Sequence, residues 1–128
     1  MKKVYWMSRH SPLPSQISQL KQLFGEDVKI IQDPKPFDSA DDIVARFHQS
    51  GADELLVVAP LSVIAQLVQK GVKPLWAEME VVQNPADAEV EAAGRYYRFV
   101  RFRRIVGVEI KFTDIGGEEN DVACSRNN

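Results

Sequence analysis

Four consecutive residues carry the plainest chemistry in the chain: Ser8-Arg9-His10-Ser11. A guanidinium can clamp a phosphate with two parallel N–H donors. An imidazole moves a proton near neutral pH. Hydroxyls on either side can bind phosphate oxygens. The same four residues also suit a solvated loop, with Ser11 or Ser15 capping a following helix. Asp33 and Ser62 are the next candidates. Asp33 opens Asp33-Pro34, a common turn starter, and the turn is the favoured reading. Ser62 precedes an apolar helical run, so it reads first as an N-cap. A cap and a ligand contact are compatible when the ligand lies over the helix end. Arg9 and His10 are thus the candidate catalytic residues. Ser8, Ser11, Asp33 and Ser62 are the candidate ligand-binding residues.

Other chemistries lack their motifs. There is no G-x-G-x-x-G and no G-x-x-x-x-G-K-[ST], which argues against a dinucleotide oxidoreductase or a P-loop NTPase. The second histidine, His48, sits in a helical stretch beside Phe47, and no carboxylate cluster accompanies the two histidines. No metal and no cofactor are expected. The one cysteine, Cys124, excludes an internal disulfide and lies in a polar tail where nothing would activate it.

The elements that must position these residues alternate. Val4 to Met7 reads as a buried strand. A helix follows from Pro14 or Ser15, with Ile17, Leu20, Leu23 and Phe24 at helical spacing and Gly25 as its stop. Val28 to Ile31 is a second strand. Ser39 or Asp38 caps a second helix, with Asp42 completing a capping-box pattern, Ile43, Val44 and Phe47 buried, and Gly51 ending it. Leu55 to Ala59 is continuously apolar, as expected when both sheet faces are covered. A third helix buries Ile64, Ala65, Leu67 and Val68 and stops at Gly71. Leu75 to Val82 is a fourth strand, with Leu75, Ala77 and Met79 on one face. This is the pattern of βαβ crossovers and a mostly parallel sheet. The expected fold is a small Rossmann-like α/β domain of three layers with a C-terminal β-hairpin extension. In such a sheet ligands bind outside the carboxyl ends of the strands. That rule selects the loops at Ser8–Ser11, Gln32–Lys35 and Ala59–Ser62. The first and third run into helix N-termini.

The second half differs. Glu89 to Phe99 has an acidic arm, a glycine and a basic aromatic arm, which predicts a hairpin. Arg104 to Gly107 is expected to break the basic arm, and Val106, Val108, Ile110 and Phe112 alternate as a further strand. Residues 1–115 are expected to form one domain, with a parallel core over 1–82 and the hairpin extension over 83–115. Residues 116–128 read as a disordered tail.

The 128 residues carry a net charge of −2, so no global basic field holds nucleic acid or an anionic membrane. That total hides two arms. Residues 75–94 hold five acids and no base, whereas residues 95–112 hold six bases against Glu109 alone. Tyr96, Tyr97, Phe99 and Phe102 among those bases could stack on nucleobases. Cross-strand pairing of the acidic and basic arms is the favoured alternative, and nucleic acid is not an expected partner. An isologous dimer built on the same arms is a third possibility. No apolar run approaches the ~20 residues that span a bilayer, and Met1 to Trp6 does not resemble a signal peptide. A cytoplasmic location is expected.

Two stretches resemble a known family. Tyr5-Trp6-Met7-Ser8-Arg9-His10 is similar to the aromatic-x-x-[Ser/Thr]-Arg-His opening of small CRISPR-associated proteins. Val57 to Gly71 is similar to their strand–Leu-Pro-Val–helix–Gly segment, with Ser62 where that family has proline. The family's later Arg-Gly-x-Glu-Leu segment has no counterpart; the arginine-rich stretch stands in its place. Those proteins are minimal relatives of Rossmann-like domains that bind cyclic oligoadenylates, and some of the wider group are ring nucleases. The resemblance implies a small phosphorylated nucleotide ligand, a homodimer and metal-independent cleavage. In that reading Arg9 stabilises the phosphorane, His10 assists proton transfer, and Ser8, Ser11 and Ser62 bind phosphates. The alternative expectation is a non-catalytic interaction protein that uses the Arg/aromatic hairpin.

Overall fold

The computed structural model describes residues 1–116. The chain is mixed α/β. Its elements run β1 (Lys3–Met7), α1 (Pro14–Phe24), β2 (Lys29–Gln32), α2 (Ala40–Ser50), β3 (Glu54–Val57), α3 (Leu61–Gln69), β4 (Leu75–Val82), a 3-10 turn (Pro85–Asp87), β5 (Val90–Ala92) and β6 (Arg95–Arg104). One six-stranded sheet has the order β2-β1-β3-β4-β6-β5. β1 pairs in parallel with β2 and β3, and β3 with β4; β6 is antiparallel to both β4 and β5.

Alternation in the strands sorts two cores. Val4, Trp6 and Leu56 face α1 and meet Leu20, Leu75, Phe99 and Phe102. Tyr5, Met7, Leu55 and Val57 face the other way and meet Ala40, Ile43, Ile64 and Leu67 of α2 and α3. Helices therefore cover both faces, as two crossovers in opposite directions from β1 require. Leu20, Ile43 and Leu67 are fully buried, each contributing roughly 1.5–3 kcal/mol by removal from water.

Local signals explain the boundaries. The N–H of Leu13 donates to Gln16 Oε1 at 2.8 Å at the start of α1, with Pro14 first in the helix. Ser11 and Ser15 are not caps there. Ser39 does cap α2, accepting from Asp42 N at 3.2 Å, while Asp42 Oδ2 accepts from Asp38 N at 3.0 Å. Ser62 is not an N-cap, contrary to expectation: Pro60 holds that position and Ser62 lies exposed in the first turn of α3. Pro60 has the extended backbone of a cap and accepts from Val63 N and Ile64 N through its carbonyl.

The hairpin forms, and its turn is tight. Ala93 and Gly94 both have positive φ, 53° and 76°, as a two-residue turn between right-twisted strands requires. Only the glycine adopts that backbone freely. The further strand expected over Val106 to Phe112 does not form. After Arg104 the described residues join no strand, and Ile105 N donates to Pro74 O at 2.9 Å. Cys124 and the tail beyond Gly116 lie outside the described residues.

Candidate functional site

The strand order reverses at β1. One crossover leads from β1 to β2, and the next strand in sequence, β3, returns to β1's other side. The loops after β1 and β3 consequently leave toward opposite faces, opening a crevice at the carboxyl ends. Two cavities lie there, sharing Ser8, His10 and Val58 as a ridge. The smaller, about 410 Å³, is lined by Ser8, Arg9, His10, Asp33, Lys35 and Phe37 among others. The larger, about 960 Å³, is mostly apolar, and Trp6, Leu13, Leu56, Ile64, Trp76 and Met79 are among its walls.

The loop after β1 is tied down by its backbone. Trp6, buried beneath it, donates from Nε1 to the His10 carbonyl at 2.8 Å. His10 N donates to Ser8 Oγ at 3.2 Å, a short side-chain turn. Gln32, at the end of β2, donates to the Ser8 carbonyl at 3.5 Å and accepts from Ser11 Oγ at 3.4 Å. These ties hold the loop while leaving the Arg9 guanidinium and the His10 ring free. Arg9 and His10 are exposed, and among the described residues no hydrogen bond or ion pair takes the guanidinium or the imidazole ring.

The loop after β2 is held differently. Arg46 of α2 uses all five of its N–H donors on protein acceptors. Nε and Nη2 grip Asp42 at 3.0 and 2.7 Å. Nη2 also reaches the Pro36 carbonyl at 2.6 Å, and Nη1 takes the Lys35 carbonyl at 2.9 Å and Asp33 Oδ2 at 3.4 Å. The Tyr5 hydroxyl donates to Asp33 Oδ2, and Lys35 N donates to Asp33 Oδ1 at 3.1 Å. Asp33 thus makes the expected turn and also anchors a network that sequence reasoning missed. The Tyr5 hydrogen bond, the Lys35 N–H and the Arg46 charge hold its carboxyl below the usual carboxylate range, against some opposing burial. Burial first, then Asp33, pushes the Tyr5 phenol up to about 12. Asp42 is likewise lowered, chiefly by its hydrogen bonds from Arg46. A signal for this network was in the sequence: Asp42 and Arg46 stand at i,i+4 on one helix. Nothing local pointed to Tyr5, whose partner is 28 residues away.

The structure brings Ser8, Arg9, His10 and Asp33 to one cleft and adds Lys35. Ser11 lines the neighbouring apolar cavity. Ser62 joins neither cavity. Among the described residues no cluster of three or more His, Cys, Asp or Glu side chains could hold a metal ion.

The basic strand is largely paired across the sheet with the acidic arm 75–94, as expected, with Glu54 of β3 as one further partner. Arg98 pairs with Glu80 at 2.7 Å, Arg101 and Arg103 with Glu78 at 3.3 and 3.6 Å, and Arg104 with Glu54 at 2.9 Å. The acids come from β4 and β3, not from the hairpin's own short arm β5. Four of the five arginines between 95 and 104 are therefore engaged, and Phe99 and Phe102 are buried in the core rather than available for stacking. No helix of the described residues is long and apolar enough to cross a membrane. No family model matches the chain, and no curated protein or solved structure matches it either.

Proposed function

We propose that this chain binds a small phosphodiester ligand of the cyclic oligoadenylate class at the carboxyl ends of β1, β2 and β3, and cleaves it without a metal. One observation carries this reading. Among the described residues the Arg9 guanidinium and the His10 ring have no partner, yet with Lys35 they line a cleft of about 410 Å³ whose opposite wall is held by Arg46. An unengaged guanidinium beside a braced wall is what a phosphate site needs.

The chemistry follows from the groups present. The ligand's own 2′-hydroxyl oxygen attacks the adjacent phosphorus, and the bond from phosphorus to the 5′-oxygen breaks. The products are a 2′,3′-cyclic phosphate and a free 5′-hydroxyl. Arg9 neutralises the extra charge on the pentacoordinate phosphorus. His10 moves the proton that the 2′-oxygen loses or the 5′-oxygen gains. Asp33 is unsuited to that work, because its oxygens already accept from Tyr5, Lys35 and Arg46. It is a positioning residue for Lys35 and the cleft wall. A two-fold pair of chains would present a symmetric ring with two such clefts.

The test is direct. Cyclic oligoadenylates of several ring sizes are incubated with the pure chain in chelator, and the products are separated. Linear or shortened products carrying a 2′,3′-cyclic phosphate, lost in His10→Ala and Arg9→Ala, are expected. Neither binding nor cleavage of any ring size ends this reading.

A further inference from the structure

The larger cavity exists because the sheet has a gap. β3 ends at Val57 and pairs with β4 only through Leu56 and Leu75. β4 then runs seven residues further with β6 on one side and, among the described residues, no strand on the other. The ladder shows which backbone groups are left over. Phe102 N donates to Gln19 Oε1, Phe99 N to Glu89 Oε1, and the Tyr97 carbonyl accepts from Glu89 N, so these three residues point away from β4. Their partners across the antiparallel ladder are Ala77, Met79 and Val81. In such a ladder both members of a pair point outward together. The N–H and C=O groups of Ala77, Met79 and Val81 therefore face the gap, an open template for another strand. Ala77 and Met79 line the apolar cavity.

The same chain carries a strand-like alternation that joins no sheet among the described residues. Val106, Val108, Ile110 and Phe112 alternate with Gly107, Glu109 and Lys111. Ile105 and Val108 lean on the α2–α3 core and form one lip of the crevice. Beyond that lip the arm is bare: Ile110 is 68% exposed, Phe112 89% and Ile115 98%. Isolated apolar residues on a surface are ordinary, but a run of them beside an unfilled apolar crevice marks an interaction site. Residues 109–115 span at most about 25 Å when extended. Arm and crevice lie on one molecule, so a two-fold arrangement satisfies both copies at once.

We propose that the arm Glu109–Ile115 of one copy enters the crevice of a second copy and pairs with the outward edge of β4 at Ala77, Met79 and Val81. Ile110 and Phe112 then pack against the apolar walls near Trp76 and Leu61. Ser8 and His10 form the ridge between crevice and cleft, so a filled crevice closes the rear of the candidate site. This exchange is independent of which ligand, if any, the cleft takes.

The full chain is tested by sedimentation velocity across a wide concentration range, with amide hydrogen exchange at the two ends of that range. A mass that doubles with concentration is expected, together with protection of the Ala77, Met79 and Val81 amides only where the doubled species forms. I110D/F112D changes two exposed side chains and is expected to raise the dimer dissociation constant by about 30-fold or more, the loss of one buried aromatic anchor. A chain that stays monomeric at every concentration overturns the proposal. So does a dimer indifferent to I110D/F112D. Protection of the three amides in the monomer, lost in I110D/F112D, would place the arm in its own crevice and equally overturn exchange between copies.

Discussion

The loops after β1 and β2 border one cleft, and they are built in opposite ways. The β2 loop spends its charges on itself: Arg46 satisfies Asp33, Asp42 and two carbonyls, and Tyr5 completes the set. The β1 loop is fixed through backbone groups by Trp6 and Gln32, and keeps Arg9 and the His10 ring unspent. An arginine whose five donors are all used is a brace. An arginine with none used, held on a fixed loop, is available to a ligand. The two positions separate an engaged arginine from a free one more sharply than residue type could.

The largest effect is expected beneath the open loop. Trp6 is 3% exposed and packs edge-on against Phe102 with ring centres 6.1 Å apart. Trp6→Ala should cost about 3–5 kcal/mol in denaturant unfolding. It should also release the His10 carbonyl, seen as faster hydrogen exchange through residues 8–13. A loss of stability with that loop unchanged would separate the anchor from the core.

The two arginines give the next contrast. Arg46→Ala should lower the unfolding midpoint and accelerate exchange over residues 33–37, since two carboxylates and two carbonyls lose their shared donor. Arg9→Ala should leave stability within about 0.5 kcal/mol, as for an unengaged surface side chain. Equal effects from the two changes would erase the distinction.

Tyr5 adds a pH signature of the braced loop. Its folded pKa lies above the ordinary phenol value of 10.0, at about 12, so the stability it supplies is complete below pH 10 and fades as pH rises toward 12. Asp33 is shifted the other way. Its contribution is present above its ordinary pKa of 3.8 and is lost as pH falls below it. Tyr5→Phe should cost about 1 kcal/mol near neutral pH and flatten the alkaline limb of the stability profile. An unchanged alkaline limb would show that the Tyr5 bond is not what is titrating.

The smallest effect belongs to the basic strand. Glu78→Gln removes the acid shared by Arg101 and Arg103. It should produce weak, salt-sensitive affinity for single-stranded RNA where the unaltered chain has none. Strong RNA binding by the unaltered chain would mean that the ion pairs of β6 do not occupy its arginines.

The core was legible in sequence because period and punctuation agreed. Apolar runs at Val4–Met7 and Leu55–Ala59, helical spacing at Ile17–Phe24, and stops at Gly25 and Gly51 each pointed to the element that forms, although the third strand ends at Val57 and Val58 is 70% exposed. Two local rules were overridden. Ser62 follows the real cap, because Pro60 has the extended cap backbone and its carbonyl already accepts from Val63 N and Ile64 N. Val106–Phe112 has a strand's alternation but finds no partner within its own chain, and alternation alone makes no hydrogen bonds. The site was legible only as a loop: Arg9 and His10 stood out by type and by their place after a strand. The brace formed by Tyr5, Asp33 and Arg46 was hidden, because it joins β1, the β2 loop and α2 across long separations that no spacing rule covers.

The most direct test titrates cyclic oligoadenylates into three versions of the chain by calorimetry: unaltered, Arg9→Ala and Arg9→Lys. Binding by the unaltered chain, its loss in Arg9→Ala with the fold intact, and partial recovery in Arg9→Lys are expected, because a lysine restores charge but not the two-pronged donor geometry. Binding that survives Arg9→Ala undiminished would contradict the assignment of this cleft as the phosphate site.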